Sequence, residues 1–159
     1  MSVPPASVAP SRVPPVAFAA FGLIAAQLVV RGALAFGGYF YWDDLILIGR
    51  AGTQPLLSVA YLFTDHDGHV MPAAFLLGGI ITRLAPLVWA WPALSLLVLQ
   101  ALASLALLRV LHIILGWRPV LLVPLCFALF TPLGVPAFAW WAAALNSLPM
   151  LANAGTPSG

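Results

Sequence analysis

The chain contains two long stretches in which almost nothing can be ionised. Residues 16–36 carry one charged side chain, Arg31, and residues 87–111 carry one, Arg109. A helix needs about 20 apolar residues to cross a ~30 Å hydrocarbon core, since each residue advances it ~1.5 Å. Within lipid the backbone must satisfy its own hydrogen bonds, which a helix does. These runs point to an all-α fold of polytopic transmembrane helices. Composition agrees: 63% of residues are hydrophobic and 6% charged, with a mean hydropathy of +1.07. Soluble domains carry about 25% charged residues.

Around those runs the chain divides readily. Residues 1–15, rich in Pro, Ser and Ala, are expected to form a disordered cytoplasmic tail marked by Arg12. Residues 16–36 form a first span, with Arg31 close enough to its outer end to snorkel to the headgroups. Ala33-Leu34-Ala35 resembles a signal-peptide cleavage site, but Arg31 stands where such a region is normally neutral. The run is therefore read as an anchor. Residues 37–71 form an outer loop carrying short interfacial helices, one from Asp44 to Arg50 and one from Pro55 to Phe63.

Residues 72–86 are apolar but too short to cross, and are read as a helix lying at the interface. If they crossed, Arg109 and Arg118 would lie outside, against the positive-inside tendency. Without that crossing, residues 87–111 run inward, and Arg12, Arg109 and Arg118 share one side. Residues 119–133 then form a short third span, and 137–154 start a fourth helix that stops before it can cross. The expectation is an incomplete chain, whose missing C-terminal helices or other membrane subunits would complete the fold. The lone Cys126 excludes an internal disulfide, and the six dispersed arginines make no basic patch for nucleic acid.

The chemistry is concentrated in the outer loop. All four acidic residues, Asp43, Asp44, Asp65 and Asp67, lie there with His66 and His69. Tyr39, Phe40, Tyr41 and Trp42 form an aromatic belt that would bring Asp43 and Asp44 out at the water boundary. A carboxylate at that rim can serve as general base toward an acceptor hydroxyl, and its neighbour can orient a partner or hold a metal. A water-facing helix cap is the alternative role for the pair. Asp65, His66, Asp67 and His69 can ligate a divalent cation, bind an anionic substrate or fix the loop against Asp43. Gly68 between the histidines is expected to supply an unusual backbone angle. Arg83 has the fork that suits phosphate, or it can be a snorkelling anchor. No GxSxG, P-loop or dinucleotide fingerprint is present, so soluble-type hydrolase, kinase and dehydrogenase chemistry lacks support.

The order of motifs, YWDD at 41–44, HDGHVMP at 66–72, an apolar helix with Arg83, then FALFTPLGVPAFAWW at 127–141, resembles the N-terminal part of a GT-C-type membrane glycosyltransferase. This family includes the protein O-mannosyltransferase relatives. The resemblance covers roughly residues 16–150 and rests on short motifs. It implies an integral, plasma-membrane protein whose loop faces outside and which draws sugar from a polyprenyl-phosphate donor. It places the catalytic base on Asp43 with Asp44 beside it, and maps the end of the loop onto His69, Pro72 and Arg83. The family has about eight or more spans, so a chain with three and a stub would lack much of the donor site. No cofactor is certain, and a divalent cation is an option. Two other classes stay open: a transporter fragment with a cation-binding Asp/His loop, and a small non-catalytic membrane subunit.

Overall fold

The computed structural model describes residues 14–66, 68–131, 141–142 and 144–145. Residues 1–13 of the expected tail, Asp67 and most of the fourth helix lie outside the described residues, and the first helix starts at Pro15, the last residue assigned to that tail. Among the described residues the α-helices with defined bounds are, in order, α1 Pro15–Phe36, α2 Asp43–Thr53, α3 Val59–Leu62, α4 Pro72–Leu84, α5 Ala90–Leu115 and α6 Leu122–Phe130. Between α3 and α4 a small antiparallel hairpin pairs β1, Asp65–His66, with β2, His69–Val70. A 3₁₀ turn, Pro119–Leu121, leads into α6.

Among the described residues two helices are long and apolar enough to cross a membrane: α1 with 22 residues and α5 with 26. At 1.5 Å per residue they reach roughly 33 and 39 Å. Only 33% and 22% of their most apolar windows is buried inside the protein, so neither is a core helix wrapped by its own chain. Phe18, Phe21, Val29 and Leu34 of α1, and Val98, Leu102 and Ile113 of α5, stand exposed. A helix that is hydrophobic all round and little covered by its own chain is a candidate membrane span. The apolar segment expected over 119–133 is helical from Pro119 to Phe130, too short to rank with those two. Pro119 sets its start, its ring fixing the backbone angle where no helical N–H is needed.

The helices pack antiparallel where it matters. Ala20 and Ile24, early in α1, share an apolar cluster with Leu108 late in α5 and with Leu121 and Leu125 leading through α6. At the other end Ala35 closes α1 against Trp89 and Ala93, where α5 starts. The Trp89 indole N–H donates to the Ala35 carbonyl at 2.7 Å, an acceptor that also takes the Gly38 backbone N–H at 3.1 Å, and so joins the end of α1 to the start of α5. The segment 37–88 thus leaves and returns at one end of the α1/α5 pair. Its helix α4 packs chiefly against α2 and α3 and does not run the length of that pair.

This segment builds its own small platform. Leu47 and Ala51 of α2, Tyr61 of α3, and Ala74 and Phe75 of α4 are buried together, continuous with Trp89 and Trp141. Gly79 lets α3 come close: a methyl group there would stand 2.6 Å from the Tyr61 hydroxyl and nearer still to Leu56. Tyr61 uses that hydroxyl to donate to the Phe75 carbonyl at 2.9 Å. Burial holds its phenol above the ordinary range, partly offset by the Arg83 charge, so it remains a donor.

Candidate functional site

The acidic pair opens α2. Asp43 and Asp44 occupy its first turn, where carboxylates complement the exposed N–H groups and the positive end of the helix dipole, and Arg50 stands in its last. The residue before them, Trp42, has φ +36, an uncommon angle for a bulky side chain. That kink turns the chain sharply from the aromatic belt into the helix.

The two carboxylates then separate in role. Asp44 is fully buried. One of its oxygens accepts the Tyr41 backbone N–H at 2.9 Å, and the other accepts the Ala142 backbone N–H at 2.7 Å. It ties the loop to a helical stretch nearly a hundred residues on. Burial pushes its carboxyl above the usual range, the hydrogen bonds from Tyr41, Ala142 and Trp141 pull it back, and the nearby Asp43 charge adds a smaller upward push. A carboxylate with both oxygens committed to backbone donors is a structural clasp.

Asp43 faces a histidine instead. Its Oδ2 lies 3.7 Å from His66 Nε2, with both side chains about nine-tenths covered. At that separation the contact is no hydrogen bond, which would close to about 3 Å, and it is an ion pair only when His66 is protonated. The hairpin places His66: Asp65 Oδ1 accepts the Gly68 N–H at 2.7 Å, and Gly68 turns the chain with φ +80. That angle is the one expected of Gly68, and it costs a residue without Cβ nothing. His66 is held from the other side by Phe75, ring edge to face at 6.3 Å.

The remaining predicted residues divide. His69 pairs with His66 across the hairpin and therefore projects from the same face, but is itself exposed. Asp65 is engaged in the turn. Among the described residues no group of three or more His, Cys, Asp or Glu side chains could hold a metal. Arg83 belongs to the other end of α2, where its Nε donates to the Ala51 carbonyl at 3.3 Å and its Nη2 to that of Gln54. Eight residues of helix, ~12 Å, separate Ala51 from Asp43, so Arg83 serves as a C-terminal cap of α2 in this geometry.

The Asp44–Ala142 clasp has no sign at the level of sequence, because a backbone donor has no side-chain signature. The Trp141 indole, which donates to the Ser95 hydroxyl at 3.1 Å, was readable only as an interfacial aromatic. Comparison of the chain with family models, with curated proteins and with solved structures returns no match.

Proposed function

We propose that this chain carries the acceptor-side base of a membrane glycosyltransferase that uses a polyprenyl-phosphate sugar. The observation that supports this reading most is the division of labour in the acidic pair. Asp44 is locked by two backbone donors, while Asp43 keeps its carboxylate turned to His66 at the end of α1 and α5 where the loop emerges. In the proposed reaction the acceptor oxygen forms a bond to the anomeric carbon as the bond from that carbon to the phosphate oxygen breaks. The electron pair leaves with the polyprenyl phosphate, and the acceptor's proton passes to Asp43. His66, 3.7 Å away, keeps the Asp43 carboxylate turned toward the hairpin. Such a base contributes about 10²–10⁴ in rate.

The loop faces outside in this proposal, because Arg12, Arg109 and Arg118 then share the cytoplasmic side. The reading is tested in the full-length context. Membranes that contain the chain, together with the helices or subunits that complete its donor site, are incubated with a labelled polyprenyl-phosphate hexose. Label moving to acceptor above the level of control membranes supports it. Label that stays wholly on the polyprenyl phosphate, across the common acceptor classes, overturns it.

A further inference from the structure

The strongest feature outside the loop is a cavity between the outer ends of α1 and α6. It has a volume of about 200 Å³ and is lined by Gln27, Val30, Arg31, Leu34, Leu129, Phe130 and Thr131. Its polar side is built from buried groups. Arg31 is 6% exposed and donates from Nη2 to the Thr131 carbonyl at 3.1 Å, joining the two helices. Gln27, one turn earlier, is 1% exposed, and its Oε1 has no hydrogen-bond partner among the described residues. The rest of the wall is apolar. Val30, Leu34 and Phe130 at its rim are each about half exposed.

A cation and an amide buried on the flank of a spanning helix are costly there, and groups of that kind mark ligand sites more often than structural ones. Arg31 lies five residues before the end of α1, ~7.5 Å along the axis, within snorkelling reach of the headgroups. The cavity combines a guanidinium fork, a buried acceptor and an apolar slot open on one side. That set suits a phosphate carrying a long hydrocarbon tail. We propose that this cavity binds the phosphate of an anionic lipid. Arg31 grips the phosphate oxygens, Gln27 Oε1 accepts a hydroxyl of the headgroup, and the tail lies along Val30, Leu34 and Phe130. The site does not depend on whether the Asp43 loop transfers sugar.

The test uses the purified full chain in detergent. It is delipidated and offered phosphatidylglycerol, a polyprenyl monophosphate or phosphatidylcholine, and bound lipid is counted by native mass spectrometry. The parent is expected to retain the two anionic lipids at least 5-fold over phosphatidylcholine. Stronger retention of polyprenyl monophosphate points to a carrier lipid, and stronger retention of phosphatidylglycerol to a bilayer lipid. Arg31→Gln should lose that preference and Arg31→Lys should keep part of it, while Arg109→Gln should leave it unchanged. Leu34→Trp, which fills the slot from a half-exposed position and leaves Arg31 in place, should lose retention with helical content intact. Equal retention of all three lipids by the parent, undiminished preference in Arg31→Gln or Leu34→Trp, or an equal loss in Arg109→Gln overturns the proposal.

Discussion

Replacing Asp44 with Ala removes both acceptors of the clasp that joins the start of α2 to Ala142. Two buried N–H donors, from Tyr41 and Ala142, are left without partners, and each such orphan costs about 1–3 kcal/mol. Against that stands the relief of removing a carboxylate that burial already disfavours, so the net loss should be about 2–4 kcal/mol. For a chain of this size, 1 kcal/mol moves the melting temperature by roughly 2–4 °C. The expected drop is therefore about 4–16 °C, read by thermal unfolding of the purified protein in detergent. The pH dependence has a fixed sign. Asp44's carboxyl is raised in the folded protein, so its contribution is fullest below the unfolded value of ~3.9 and is lost as pH rises through the folded value. The gap between parent and Asp44→Ala should accordingly widen on acidification from neutral pH toward 4. A variant that melts within 1 °C of the parent would refute the clasp, and a gap that narrows on acidification would refute the upward shift of its carboxyl.

Three further outcomes can be checked alongside. Gly79→Ala should destabilise by about 1–2 kcal/mol, since overpacking against Tyr61 and Leu56 outweighs the gain in helix propensity. Gly49→Ala in α2, where the added methyl meets nothing within 4 Å, should stabilise by up to about 1 kcal/mol. Both are read as melting shifts, and a stabilised Gly79→Ala would mean that α3 does not sit where described. Asp65→Cys, made in a Cys126→Ser background, should react with an impermeant thiol reagent in intact cells; labelling only after permeabilisation would reverse the topology.

Much of the loop was legible because its signals are local. An Asp pair after an aromatic belt marks a helix start, and α2 begins at Asp43, one residue before the expected Asp44. A glycine between two histidines marks a turn, and Gly68 takes a positive φ there. The reach of His66 to Asp43 was one of several roles open to the Asp/His cluster, and choosing among them took the placement of α2 beside the hairpin. What stayed hidden depends on contacts between distant segments. Arg83 reads as a phosphate fork or a membrane anchor, and only the packing of α4 on α2 turns it toward the Ala51 and Gln54 carbonyls. The second short helix, expected from Pro55 to Phe63, is confined to Val59–Leu62, with the Ser58 hydroxyl accepting the Tyr61 N–H as its cap. Arg31 was visible as a snorkelling cation, but the cavity beside it exists only once α6 returns along α1.

The central claim is that Asp43 takes the acceptor's proton while Asp44 holds the loop. It is tested most directly by the rate of sugar transfer from a labelled polyprenyl-phosphate hexose, measured in the full-length context for Asp43→Asn at protein levels matched to the parent. Asn keeps the size and most of the hydrogen bonding of Asp43 but cannot accept the proton, so transfer should fall about 10²–10⁴-fold with melting temperature and membrane insertion unchanged. Transfer at the parental rate would contradict the account, and would leave Asp43 as a helix-start carboxylate beside His66.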